Sequence, residues 1–124
     1  MSKLGKGSVF VVGALTVLTV AVTGALGGPT TQSATTVAVT AGKPTEFRFI
    51  VLPKTVKKGL VTFKVANKGM LAHDFKIAGK KTKTLARGKT AALQVTFGKV
   101  GRFAYLCTLP SHAAAGMKGV LVVK

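Results

Sequence analysis

From Val37 to Lys124 the chain is a succession of short runs in which apolar and polar residues alternate. Val61, Phe63 and Val65 interleave with Thr62 and Lys64. Leu93, Val95 and Phe97 interleave with Gln94, Thr96 and Gly98, and Phe47 and Phe49 with Glu46, Arg48 and Ile50. A period of two sends successive side chains to opposite faces of an extended strand, one face inward and one to water. No stretch of helical length in this part repeats at 3.6. The runs VAVT, TEFRFIVL, LVTFKVAN, HDFKIAG, KTLARG, AALQVTF, GRFAYLC and GVLVVK are separated by Gly, Pro, Asn and Lys. Turn signals fall at Ala41-Gly42, Lys58-Gly59, Asn67-Lys68-Gly69, Gly79-Lys80 and Arg87-Gly88. About seven to eight short strands in one small domain predict an all-β sandwich of two packed antiparallel sheets. Pro53 has no N–H to give a central ladder and marks an edge segment. No internal repeat is visible.

The chain opens differently. Lys3 and Lys6 precede an apolar run from Val9 to Val22, and Ala25 and Gly27 supply small residues after it. A positive start, an apolar centre and a small-residue site are the parts of an export signal. The run is short for a membrane span, although Val9 to Leu26 approaches the roughly 20 residues a span needs. Residues 1–27 therefore read as a signal peptide, or as an uncleaved N-terminal anchor. Residues 28–36, which include TTQSATT, read as a polar linker, and 37–124 as the folded domain. No cysteine lies near the small-residue site to carry a lipid. The expected location is periplasmic or extracellular, with tethering to a membrane if the segment is retained.

Nineteen Lys and Arg face only two acids, Glu46 and Asp74, for a formal charge of +17; loss of Lys3 and Lys6 on cleavage leaves +15. Such a surface repels its own copies, which favours a monomer, and attracts an acidic protein or an anionic membrane surface. Nucleic acid is not expected: there is no binding motif, and the basic residues are scattered along the strands. Lys54, Lys57, Lys58, Lys76, Lys80, Lys81, Lys83 and Lys118 are candidates for such contacts.

The chemistry concentrates in YLCTLPSHAAAGMKG. Cys107, the only cysteine, His112 and Met117 stand at equal intervals of five, and the other histidine, His73, lies far upstream in LAHDFKI. A lone cysteine cannot form an internal disulfide and is a liability in an exported protein unless its thiolate is bound. One thiolate, two imidazoles and one thioether make a His₂Cys copper set with a weak axial Met. Zinc takes Cys, His and carboxylate in preference to thioether. Singly, a strand histidine is more often structural, a buried cysteine an inert hydrophobe, and a methionine core filler; the four together in a β domain outweigh those readings. Pro110 and Gly116 help the loop turn. Asp74 follows His73 and points the other way on a regular strand. It is expected to tie the ligand segments together by hydrogen bonds, with Asn67 and Thr108 as weaker supports. Met70 is a competing thioether without the loop context.

FAYLCTLPSHAAAGMKGVLVV, preceded by NKGMLAHDFKI, closely resembles the small blue copper proteins, the cupredoxins of the plastocyanin and azurin type, over nearly all of residues 37–124. The resemblance implies a cupredoxin-like Greek-key β-sandwich holding one type 1 copper ion through His73, Cys107, His112 and Met117. Four residues separate Cys107 from His112, as in azurins and unlike the two of plastocyanins. Four separate His112 from Met117, where azurins have three. The likeness is thus to the wider group of exported bacterial cupredoxins. It implies an electron carrier cycling between Cu(II) and Cu(I) with donor and acceptor redox proteins, and not an enzyme. His112 would be the electron exit, inside an apolar collar of Leu71, Leu109, Pro110, Ala113, Ala114 and Ala115. The alternative function is a copper-binding module for storage, delivery or assembly of a larger enzyme; a third is a structural or adhesive β-sandwich. The alanines also have a plainer reading, as small residues in a tight loop.

Overall fold

A computed structural model describes residues 34–124 of the chain. The export segment and residues 28–33 lie outside the described residues. Among the described residues nine strands follow one another: β1 Thr35–Ala41, β2 Phe49–Leu52, β3 Thr55–Val56, β4 Gly59–Asn67, β5 Lys76–Ile77, β6 Lys80–Lys81, β7 Thr90–Phe97, β8 Gly101–Leu106 and β9 Lys118–Val123. They form one sheet in the order β2-β1-β4-β7 and another in the order β3-β9-β8-β5-β6.

The sheets are mixed where purely antiparallel sheets were expected. β1 pairs parallel with β4, and β3 parallel with β9. Periodicity fixes which face is buried and is silent about strand direction. Thr35 and Thr36, assigned to the linker by their polarity, already pair with Val61 and Thr62. Three runs are also shorter than their alternation suggests. TEFRFIVL becomes a strand only at Phe49, HDFKIAG only at Lys76–Ile77, and KTLARG contributes a single bridge, Leu85 to His73. Among the residues left out of these ladders, Glu46, His73 and Asp74 bond at the site, and the Lys83 and Leu85 carbonyls accept from the side chains of Thr82 and Asn67. Pro53 stands between β2 and β3, the edge strands of the two sheets, where its absent N–H leaves no ladder bond unmade.

The inward faces meet in a core of Val37, Val39, Val51, Val61, Phe63, Val65, Phe75, Ile77, Leu121 and their neighbours. On β4 the buried set Val61, Phe63, Val65 and Asn67 follows the period of two to the strand's last residue. Phe75 joins the layers: its ring lies 5.3 Å from those of Phe49, Phe63 and Tyr105. Burying each such side chain stabilises the fold by roughly 1.5–3 kcal/mol. Phe75 is two residues from His73 and Tyr105 two from Cys107, so the aromatic cluster anchors both segments just below the chemistry.

Candidate metal centre

A second, smaller cluster lies at the end of the sandwich. It consists of Ala41, Cys107 and Met117, with Phe47, Phe49 and Leu109 packed against it. β8 ends at Leu106, and Cys107 follows with its N–H donated to the Met117 carbonyl at 3.1 Å. The loop then winds on itself. Met117 N–H donates to the His112 carbonyl at 3.0 Å, His112 N–H to Leu109 at 3.2 Å, and Gly116 N–H to Ala113 at 2.9 Å. Equal spacing in sequence thus becomes a closed loop whose first and last members are tied by their backbones. Gly116 has φ +113°, a backbone conformation that calls for glycine, and a Cβ there would also push aside the Arg48 guanidinium.

His73 reaches the same end between β4 and β5. Its N–H donates to Leu85 O at 3.0 Å and Leu85 N–H returns to His73 O at 2.7 Å. Asn67 secures both sides of this bridge. Its amide donates to Leu71 O and Leu85 O, each at 2.8 Å, while its Oδ1 accepts from Gly69 N–H at 2.9 Å. Asn67 therefore supports His73 through backbone and touches no ligand atom in these bonds. Asp74 links His73 to the loop: its carboxylate accepts from Thr108 N–H at 2.6 Å and from the Thr108 hydroxyl, and its own N–H points to Cys107 Sγ at 3.5 Å.

His73, Cys107 and His112 bring their ligating atoms within 4.8 Å of one another. The two Nδ1 atoms are 3.2 Å apart, and Cys107 Sγ lies 3.5 Å from Nδ1 of His112 and 4.0 Å from Nδ1 of His73. A first-row ion bound at about 2.0 Å to nitrogen and 2.3 Å to thiolate holds such atoms roughly 3.1–3.8 Å apart. Two of the three spacings fall in that range and the Cys107–His73 distance of 4.0 Å stands just outside it, so a small inward shift of His73 or Cys107 would seat one ion between the three; the soft thiolate with two imidazoles suits copper. His73 and Met117 are fully buried and Cys107 is 1 % exposed; His112 is half-buried. The competing thioether is elsewhere: Met70 is 71 % exposed. Burial pushes the Cys107 thiol above its ordinary range and, with the neighbouring His73 charge second, pulls the His112 imidazole below its own. A bound cation would reverse the penalty on the thiolate.

The connection from Gly42 to Arg48, between β1 and β2, holds three contacts that the sequence did not disclose. Glu46 Oε1 lies 2.6 Å from Nε2 of His73, and the same carboxylate accepts from Met70 N–H and Leu71 N–H. Those two backbone donors first, and the His73 bond less strongly, hold the Glu46 carboxyl down at about 2, against the opposing effect of its burial. Phe47 sets its ring 5.0 Å from that of His112, edge to face. Arg48 Nη1 donates to Gly116 O at 3.1 Å. The available signal was composition: in a chain with only two acids, each acid is worth locating, and both lie beside the candidate ligands. Of the expected collar, Leu71, Pro110, Ala114 and Ala115 are exposed, and Leu109 and Ala113 are half-buried.

A carboxylate-braced His-Cys-His cluster, buried at His73 and Cys107 and half-buried at His112, defines a type 1 copper site candidate at the end of a β-sandwich, with Met117 alongside. The model of the copper binding proteins of the plastocyanin/azurin family matches residues 33–124, and the chain belongs to that family. No curated protein matches it in sequence. Solved structures similar in fold include auracyanin A, a "blue" copper protein from Chloroflexus aurantiacus (20 % identity, TM-score 0.61, covering 74 % of this chain and 100 % of that one). Dithionite-reduced auracyanin from Roseiflexus castenholzii is another (21 %, 0.57, 75 % and 98 %). A third is rusticyanin from Thiobacillus ferrooxidans (23 %, 0.63, 76 % and 79 %).

Proposed function

We propose that the protein carries single electrons between redox proteins outside the cytoplasm, without substrate turnover. The observation that carries this reading is the convergence of two imidazole Nδ1 atoms on one buried thiolate, each segment held from behind. Copper bound there supplies a one-electron Cu(II)/Cu(I) couple. The chain's own part is to keep the ligand atoms still. The Leu85 bridge fixes His73, Asp74 ties Thr108 to the same segment, and the Met117–Cys107 backbone bond closes the loop. Burial of His73, Cys107 and Met117 keeps water from the interior side. Met117, buried beside Cys107, would lend its thioether as a fourth, weaker ligand. His112 is the one member of the four that is half-buried and not fully buried, which supports it as the point where a partner approaches, among Leu109, Pro110 and the three alanines.

The basic residues support an acidic partner. Lys81 pairs with Lys76, Lys76 with Leu106, and Leu106 with Lys118 across β6, β5, β8 and β9. Residues opposite one another in antiparallel strands project from the same face, so three exposed lysines stand in one row, one residue before Cys107. Like charges placed directly opposite are unfavourable, and an anionic surface brought against the row would relieve that cost. Lys54, Lys57 and Lys58 flank β3, whose Thr55 and Val56 pair with Val122 and Val123 at the other end of β9 from Lys118, so they do not extend the row.

The test is stopped-flow electron exchange between the copper-loaded protein and an acidic redox protein across a salt series. The rate should fall as salt rises. Ala114→Glu should slow the reaction even at high salt while leaving the visible spectrum nearly unchanged. Rates flat with salt would overturn steering by the basic row, and a native rate for Ala114→Glu at high salt would overturn the approach beside His112.

A further inference from the structure

An imidazole that binds through one nitrogen keeps the other for the protein. Nδ1 of His73 faces Cys107 and His112, and Nε2 faces away from them, 2.6 Å from Glu46 Oε1. A carboxylate accepts and cannot donate when ionised, so the His73 proton belongs on Nε2 and the bare lone pair on Nδ1. Glu46 is itself fixed, by Met70 N–H at 2.9 Å and Leu71 N–H at 3.0 Å. Its approach depends on Gly69, where a Cβ would run into both Glu46 Oε1 and His73 Nε2. His73 is fully buried, whereas the Glu46 side chain is 26 % exposed. The carboxylate therefore places a negative charge against the concealed side of the site while remaining partly solvated itself.

We propose that Glu46 is a positioning residue for the copper couple: it selects the Nε2–H tautomer of His73 and favours Cu(II) over Cu(I) by its charge. Partners behind a ligating histidine orient it and raise its basicity. The site holds one more positive charge in the oxidised state, so a nearby anion stabilises that state more. Loss of the charge then raises the reduction potential. This rests on the redox reading of the site, and the test separates the two.

In the copper-free protein, long-range proton–nitrogen NMR reads the His73 tautomer without any metal. The native chain should show Nε2–H alone, and Glu46→Ala a mixture with Nδ1–H. In the copper-loaded protein, Glu46→Gln removes the charge with little change in size. It should weaken Cu(II) binding about tenfold more than Cu(I) binding, which for a one-electron couple is an upward shift of about 59 mV. Gly69→Ala carries no positive-φ penalty and keeps the charge but displaces the carboxylate. It should move tautomer and potential in the same directions. A native tautomer in Glu46→Ala, or an unchanged or lowered potential in Glu46→Gln, overturns the proposal while leaving the function intact. If the native protein takes up no copper, the function reading fails, and the tautomer result still decides whether Glu46 positions His73.

Discussion

Two segments meet at the copper end of the molecule, and they were built by different rules. The loop from Cys107 to Met117 carries three of the four candidate ligands in eleven consecutive residues and closes through its own backbone bonds. The connection from Gly42 to Arg48 carries no ligand, yet Glu46, Phe47 and Arg48 touch His73, His112 and Gly116 in turn. The first segment depends on local spacing. The second depends on β1 and β2 being laid beside the site by the sheet, so its roles exist only once the fold does. Chemistry can be compact in the chain while its support is dispersed.

The comparison breaks most sharply at the thiolate. Cys107→Ser should abolish the intense visible band of the copper-loaded protein, because an alkoxide or hydroxyl cannot replace the thiolate's charge transfer. Retention of a strong band in the serine variant would remove Cys107 from the site.

A smaller but still large effect tests the member that lies outside the loop. His73→Ala should lose more copper affinity than the roughly 10–100-fold typical of losing an outer partner, and far more than Met117→Leu. A long axial thioether contributes little to binding, so the leucine variant should change mainly the spectrum and potential. Leucine is preferred to alanine because Met117 is fully buried and a truncation would add a cavity cost of about 2–5 kcal/mol. Parallel copper titrations decide the order; a larger loss for Met117→Leu would invert the hierarchy of ligands.

The smallest effects compare the braces in the copper-free protein. Asp74→Ala leaves the half-buried Thr108 N–H without its acceptor and should cost about 1–3 kcal/mol. Arg48→Ala removes an exposed bond to Gly116 and should stay within about 0.5 kcal/mol. Urea unfolding of both variants measures the difference. Equal losses would mean that the strap from β1 to β2 holds the loop as firmly as Asp74 does.

The sandwich was legible because alternation at Val61, Phe63 and Val65 reports burial directly, and the core uses those positions. The candidate ligand loop was legible because Cys107, His112 and Met117 stand close together in the chain, and the fold brings Cys107 Sγ within 3.5 Å of His112 Nδ1. The parallel pairings of β1 with β4 and β3 with β9 were not legible, since a strand's alternation reads the same for either direction of its partner. Nor was Glu46. It sits in an alternating run that looks like a strand, and only the turn before Phe49 frees its side chain to reach residues 24 to 27 positions away. The lysine row across β6, β5, β8 and β9 needs the register of three strand pairs, which no spacing along the chain encodes.

Both acids of the chain are spent at the metal end, Asp74 buried and Glu46 held by three donors. Among the charged side chains of the described domain, solvent therefore meets cations, and Glu46, 26 % exposed, is the one carboxylate that reaches it. Two copies approaching through their His112 ends meet as like-charged bodies, and the repulsion reaches about 10 Å at 0.1 M salt and about 30 Å at 0.01 M. Electron self-exchange between identical molecules should then be slow in dilute buffer and should quicken as salt is added, opposite in slope to the reaction with an acidic partner. A crowd of carriers of the kind proposed above would hold its electrons apart from one another and release them across a boundary of opposite charge.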